Sequence, residues 1–242
     1  MNYNQINSHE RDARLIFEPA SHTYSYNGIP LRSVTTIVED CFPKFDKDAL
    51  ALRVAEREGV PVSTILDRWE AEGARARNLG TLLHDKIERY YLGEEIEEPH
   101  DDAFPLFLGF AKEEHLHPYR TEWRIYHEDL GIAGTLDFLE RTPDGTFNIY
   151  DWKRSHKVVG PDARPIIADR FGKSALPPLE PIPDTSYWHY ALQLSIYRMI
   201  LAEKYDIRVK GMYLGIFHPS YPSAWKVEVP YLATNIQRLF NL

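Results

Sequence analysis

Residues 131–154 read GIAGTLDFLERTPDGTFNIYDWKR. Within this stretch Pro143-Asp144-Gly145 suits a three-residue hairpin loop, with proline at the first turn position and glycine at the left-handed position that ends it. That loop pairs Thr142 with Thr146, whose numbers sum to 288, and the same sum sets Asp137 opposite Asp151. Opposite residues of an antiparallel pair point to one face, with Cβ atoms about 5 Å apart. Along the second strand, alternation puts Phe147, Ile149, Asp151 and Lys153 on that face. The expectation is that Asp137, Asp151 and Lys153 converge on one side of a sheet. Two carboxylates so placed repel, and one tends to keep its proton. A divalent cation removes the conflict, and hard oxygen ligands suit magnesium or manganese. A lysine beside them can orient a water or stabilise charge on a phosphoryl oxygen. The competing reading is a surface Asp151–Lys153 pair with Asp137 marking a strand end, and a one-residue slip of the loop would also undo the convergence.

Working outward, residues 120–127 and 132–141 read as two further strands, with 146–153 completing the set. Upstream, His22 to Arg32 (HTYSYNGIPLR) reads as a hairpin turning at Asn27-Gly28. Ser33 can cap a short helix through Glu39, and helical periodicity recurs over 47–58, 63–72, 74–92 and 103–115, with Gly93 as a stop. Downstream, residues 161–183 are irregular and hold six of the chain's 17 prolines. A long helix is expected over 186–205, strands over 209–217 and 224–229, and a closing helix over 231–240. Helices, a strand cluster, then a helix and two strands predict an α/β protein, a mixed sheet flanked by helices. A length of 242 residues fits a single domain over 1–242, with a mainly helical portion at about 33–117 and the sheet core at about 118–242.

The composition is that of an ordinary globular chain, 43% hydrophobic and 26% charged. No apolar run is long enough to span a bilayer, and the polar opening MNYNQINSHERDAR lacks the apolar core of a secretory signal. A cytoplasmic protein with no membrane partner is the expectation. Cys41 is the only cysteine, which excludes an internal disulfide, a cysteine-built zinc site and an iron–sulfur cluster. The net charge of −8 argues mildly against a nucleic-acid partner, but its distribution is uneven. The run Glu94–Asp102 is acidic, whereas Lys153, Arg154, Lys157, Arg164, Arg170 and Lys173 outnumber Asp162 and Asp169 from 153 to 173. That basic segment is either a phosphate path or a solvated loop.

In the helical segments, His84 and Glu88 share one face, as do Tyr190, Gln193 and Tyr197. A histidine at a helix–core boundary is more often packed than ligating, and an aromatic stripe is more often core. Aromatics clustered at Tyr187, Trp188, His189 and Tyr190 beside a basic loop are candidates to stack on unpaired bases. Glu122, in the strand before the hairpin, is either a further acidic group or an exposed strand residue. No phosphate-binding glycine loop, His-Glu-x-x-His or Gly-x-Ser-x-Gly occurs.

An Asp ending one strand, a hairpin, then Asp-x-Lys is the pattern of the PD-(D/E)xK nuclease superfamily, here Asp137 followed by Asp151-Trp152-Lys153. The chain resembles its RecB-like exonuclease branch, because GTLLHDKIE, with His84, stands upstream and QLSIY, with Gln193 and Tyr197, downstream. The stretches HTYSYNGIPLRSVTTI and SYWHYALQLSIYR are similar to phage and viral members, and the branch includes mitochondrial genome maintenance exonucleases. The likeness runs from His22 to about Pro230. Leu136 replaces the motif's proline, and the four cysteines of cluster-bearing relatives are absent. The resemblance implies a restriction-endonuclease-like core. It also implies Mg2+ or Mn2+ held by His84, Asp137, Asp151 and the Trp152 carbonyl, with Glu88 and Glu122 as secondary candidates. Lys153 would activate water, and Gln193 and Tyr197 would contact phosphate or support the lysine. Arg154, Lys157, Lys173, Trp188 and His189 are the expected DNA contacts. The implied activity is exonucleolytic cleavage of DNA at single-stranded ends, in a recombination or repair setting. Alternatives are a structure- or sequence-selective endonuclease and a nuclease-like module that binds without cutting. The helices before the core are expected to arch over single-stranded DNA.

Overall fold

A computed structural model of the chain describes residues 2–96, 101–179 and 181–242. In chain order the elements are α1 (Tyr3–Ile6), β1 (Leu15–Glu18), β2 (Thr23–Tyr26), β3 (Ile29–Ser33), α2 (Val34–Asp40), α3 (Lys47–Glu58), α4 (Val62–Leu92) and α5 (Phe104–Glu114). There follow β4 (Pro118–His127), β5 (Ile132–Arg141), β6 (Phe147–Lys153), α6 (Ser186–Lys204), β7 (Val209–Ile216), β8 (Trp225–Glu228) and α7 (Ala233–Phe240). Part of the acidic run, Glu97–His100, lies outside the described residues. Among the described residues no helix is long and apolar enough to cross a membrane.

The strands form one mixed eight-stranded sheet in the order β1-β2-β3-β5-β6-β7-β8, with β4 also on β5. Pairs β3·β5 and β6·β7 are parallel and the rest antiparallel. One face carries α2, α6 and α7, whose Ile37, Leu194, Ile200 and Ile236 share a core with Leu139 and Ile149. The other carries α4 and α5, whose Leu83, Ile87, Phe107 and Phe110 pack on Phe138, Tyr150 and Trp152. The expected α/β sheet with helices on both faces is what the chain forms.

The hairpin register follows from its loop. Gly145 takes φ +81°, and Thr142 N–H donates to the Thr146 carbonyl at 2.9 Å. Pairing runs Arg141–Phe147, Glu140–Asn148, Leu139–Ile149 and Phe138–Tyr150, all on the sum of 288. It ends there, one step short of Asp137 and Asp151, so the expected direct pair is not part of the ladder. The first hairpin also turns as expected, with Asn27 at φ +50° and Gly28 at +76°, the left-handed pair that a two-residue turn needs.

Two local expectations fail. Residues 63–72 and 74–92 are not two helices but parts of the single 31-residue α4. Gly73 costs about 1 kcal/mol relative to alanine in a helix interior, and packing of α4 on α3 and α5 outweighs it. Residue 33 does stand at the N-cap of α2, but its hydroxyl makes no cap bond. Ser33 Oγ lies instead 2.7 Å from Thr35 Oγ1. The first half of α4 packs on α3, through Ala51, Ala55 and Ile65, in a cluster that includes no sheet residue among the described residues.

Candidate metal centre and cleft

The sheet opens at β5. Since β4 covers one edge of β5, β3 and β6 must share the other. β3 pairs only as far as Ala133, and β6 pairs from Phe138 onward. Residues 134–137 are therefore unpaired on that edge. The register with β4 also skips one position, going from Thr121–Phe138 to Trp123–Leu136 without a Glu122–Asp137 pair. Glu122 has φ +44°, a left-handed conformation inside a strand. Such strain costs of order 1–3 kcal/mol and persists only where its surroundings enforce it.

Where the ladder stops, side chains take over its hydrogen bonds. Asp137 Oδ2 accepts the Trp152 N–H at 2.7 Å, and the Trp152 carbonyl lies 2.8 Å from His84 Nε2. A carbonyl only accepts, so Nε2 carries the hydrogen and Nδ1 faces the acids. Nδ1 lies 3.4 Å from Glu122 Oε1 and 3.7 Å from Asp137 Oδ2. His84, Glu122 and Asp137 each present a ligand atom, all within 4.8 Å of one another. Burial disfavours a charged His84, but Asp137 and Glu122 outweigh it and lift its pKa to about 9. Two carboxylates thus gather about a nitrogen that must carry a positive proton to be tolerated. A divalent cation in that proton's place would bring two positive charges to the two carboxylates, and one nitrogen with two carboxylate oxygens is a donor set that manganese or magnesium can accept.

Asp151 stands outside this trio. It is 1% exposed, its Oδ2 is 2.5 Å from Lys153 Nζ, and its Oδ1 accepts from Gln193 Nε2 at 3.3 Å. Burial pushes Asp151 up to about 6 even with Lys153 beside it. Burial likewise raises Asp137, with His84 and Lys153 opposing. Lys153 is lowered by burial but raised more by Asp151 and Asp137, so it stays above the ordinary lysine range. Its ammonium also lies 4.8 Å over the Tyr190 ring. Gln193 Nε2 is 3.4 Å from Tyr197 Oη, and Tyr197 covers Gly134, where an added Cβ would meet the ring at 2.6 Å.

Two adjoining hollows open on this centre. The larger, about 810 Å3, is lined by Asp137, Lys153, Tyr190, Gln193, Tyr197 and His189, with the hydroxyls of Ser33 and Thr35. The smaller, about 530 Å3, is lined by Phe17, Asp85, Glu88, Arg120 and Arg124. His84, Glu122, Thr81, Thr135, Phe17 and His22 belong to both. Glu88 lies outside the trio, in the smaller hollow, where burial and then the charges of Glu122 and Asp85 raise it to about 7.

The expected DNA contacts mostly lie elsewhere. Arg154 follows Lys153 and turns to the opposite face, its Nε 4.0 Å from Asp101. Lys157 and Lys173 are exposed and line neither hollow. Trp188 Nε1 donates to the Ile167 carbonyl at 2.8 Å, which ties its edge to the irregular segment. His189 does reach the larger hollow, stacked on Phe42 at 3.7 Å and bonded to Asp184 at 2.8 Å. The residues that sequence reasoning missed are Phe17, Thr81, Arg124 and Thr135. Thr81 is one helical turn before His84, and Arg124 is two strand positions after Glu122, so face arithmetic reaches both. Phe17 had no such signal.

No family model matches the chain, and neither does any curated protein. Among solved structures, that of SSO0001 is similar at a TM-score of 0.34 and 17% identity, over 86% of this chain and 72% of that one.

Proposed function

We propose that the chain is a metal-dependent deoxyribonuclease of the PD-(D/E)xK superfamily, in its RecB-like exonuclease branch, acting on single-stranded DNA ends. The observation that carries the reading is the gathering of His84, Glu122 and Asp137 within 4.8 Å, beside a lysine buried against Asp151. His84, Glu122 and Asp137 would hold the cation, which would supply Lewis acidity toward a water and the phosphate. The chain's own groups do the rest. Asp137 is fixed by the Trp152 N–H and His84 by the Trp152 carbonyl, so the ligands are oriented before substrate arrives. Lys153 stays charged, with its ammonium at the floor of the larger hollow, where it meets a phosphoryl oxygen and aims the attacking water. Asp151 is a positioning residue in this arrangement, since it holds Lys153 and is itself held by Gln193. Gln193 and Tyr197 act through Asp151.

The test is an end-labelled single-stranded DNA beside a circular single strand, each with Mg2+, Mn2+ or chelator. The expected result is metal-dependent loss of the linear strand with the circle intact, abolished in Asp151→Ala and in Lys153→Ala. Full activity in either variant would sink the assignment. Cutting of the circle would move the protein to the endonucleases, and the absence of cleavage with binding retained would make it a nuclease-like binding module.

A further inference from the structure

The stripe of Tyr190, Gln193 and Tyr197 on α6 meets three different neighbours. Tyr197 covers Gly134, Gln193 Nε2 lies 3.3 Å from Asp151 Oδ1, and the Tyr190 ring faces the Lys153 ammonium at 4.8 Å. Tyr190 and Gln193 are one turn apart on the same helix face. That turn of α6 therefore grips both members of the Asp151–Lys153 pair, the carboxylate through Gln193 and the ammonium through Tyr190. The residues just before Tyr190 anchor the start of the helix. Tyr187 Oη donates to the Glu228 carbonyl at 3.2 Å, Trp188 Nε1 donates to the Ile167 carbonyl at 2.8 Å, and His189 Nε2 lies 2.8 Å from Asp184 Oδ1. The Tyr190 ring is thus delivered from a fixed first turn.

An aromatic face does for the ammonium what a second carboxylate would not. Asp151 Oδ2 stands 2.5 Å from Nζ, and among the described residues the ammonium makes no other ion pair. A second carboxylate would cancel the charge that a phosphoryl oxygen is to meet. A ring attracts a cation through its quadrupole, carries no net charge and takes up no N–H. Lys153 is held from a second side, and its other N–H groups are left to the larger hollow, which Lys153 and Tyr190 both line.

We infer that Tyr190 is a positioning residue whose ring fixes the Lys153 ammonium against Asp151, so that its charge is presented at one place in the larger hollow. The role of the lysine toward a phosphoryl oxygen rests on the nuclease reading above; the hold of the ring on the ammonium does not. Removing a desolvated ring from a cation costs roughly 2- to 30-fold. Because Tyr190 acts through Lys153, that loss falls on kcat while KM stays near its wild-type value.

The experiment uses the full chain and two readouts. The kcat and KM for end-labelled single-stranded DNA are measured in Mn2+ for wild type, Tyr190→Leu, Tyr190→Phe and chains carrying progressively fluorinated phenylalanines in place of Tyr190. In parallel, lysine-labelled protein in chelator gives the NMR signal of the Lys153 Cε hydrogens, assigned with Lys153→Ala, which an aromatic face beside them shifts upfield. Tyr190→Leu is expected to lower kcat within the range above and to lose the upfield shift, and Tyr190→Phe to rescue both. Added fluorine is expected to lower kcat stepwise from the Tyr190→Phe value with KM unchanged. Fluorinated rings keep the shape of phenylalanine and weaken only the negative face, so a packing role alone would leave their kcat equal. That equality would overturn the inference, as would a Tyr190→Phe no better than Tyr190→Leu, or a Lys153 signal alike in wild type and Tyr190→Leu. In each of those cases metal-dependent cleavage by the wild type leaves the nuclease reading standing. An upfield Lys153 signal kept in Tyr190→Phe and lost in Tyr190→Leu, in a wild type that cleaves no strand, would support the hold of Tyr190 on Lys153 and overturn the nuclease reading.

Discussion

Gly134→Ala tests the packing that holds the site's floor. An alanine Cβ at this position would stand 2.6 Å from Tyr197 Cε1, 2.8 Å from Oη and 3.0 Å from Cζ. Carbon atoms in contact prefer about 3.5–4.0 Å, so the ring must retreat by roughly 1 Å. It retreats into α6, where Tyr197 is 2% exposed and Leu194, Ile196 and Ile200 are fully buried. Overpacking of this kind costs about 1–3 kcal/mol. Against it stands the gain of replacing a strand glycine, about 0.5–1 kcal/mol. The net expectation is a loss of about 1–2 kcal/mol, which for a chain of this size lowers Tm by about 2–8 °C. Urea titration of wild type, Gly134→Ala, Tyr197→Leu and the double variant measures it. Once the ring is gone the added methyl has room, so Gly134→Ala should turn neutral or stabilising in the Tyr197→Leu background. A Gly134→Ala effect equal in both backgrounds would refute the reasoning, because the three atoms nearest the added methyl all belong to that ring.

Three further outcomes follow from other parts of the molecule. Arg11 pairs with Glu128, and that hydrogen bond holds the Glu128 carboxyl at about 2 against an ordinary 4.5. A carboxyl depressed on folding adds stability above its unfolded pKa and loses it as pH falls toward its folded one, so Glu128→Gln should flatten the loss of stability between 4.5 and 2; an unchanged acid limb would count against the pair. Ile65→Ala empties a buried position between α3 and α4, at about 2–5 kcal/mol. Hydrogen exchange should then quicken in α3 and the first half of α4 while β5 and β6 stay protected, and uniform loss of protection would contradict a separate cluster. At Glu122, φ +44° reverses the usual order of small residues. Glu122→Gly should be more stable than Glu122→Ala by about 1 kcal/mol, whereas at an ordinary strand position alanine wins, and an alanine variant that denatures later in urea would show the strain is not there.

The hairpin was legible because its determinants are local. Pro143, Asp144 and Gly145 choose the loop, the loop chooses the register, and alternation then places Asp151 and Lys153 on one face. The bounds of α3 were legible for the same reason, since Asp46 accepts the Ala49 N–H at its start and Gly59 takes φ +68° at its end. The rest depended on partners far away in sequence. β1 is four residues long with no period to read, and it becomes a strand only by pairing with β2. Gly73 looked like a break because its cost is local, while the packing that offsets it comes from α3 and α5. Arg154, Lys157 and Lys173 formed a basic run in sequence, but alternation and loop geometry scatter them, and Lys153, Arg120 and Arg124, which do line the hollows, come from two different strands, β6 and β4.

The same reasoning explains why Glu122 was hard to rank and why it joins the trio where Asp151 does not. A strand residue paired on both sides has its side chain aimed by the pleat alone. Glu122 and Asp137 sit where β5 has lost β3, has not yet gained β6, and skips one pair with β4. Backbone groups released there need partners, and Trp152 finds them in the Asp137 carboxylate and the His84 ring. The gap in the ladder thereby fixes two side chains of the trio, and the left-handed backbone of Glu122 turns the third toward them. Asp151 is on the far side of that gap, in a strand whose other edge is fully paired with β7, so its carboxylate meets Lys153 and Gln193 instead. Sequence spacing brings Asp137 and Asp151 to the same level of the sheet; the point at which the strands part decides which of them faces the acids and which faces the lysine.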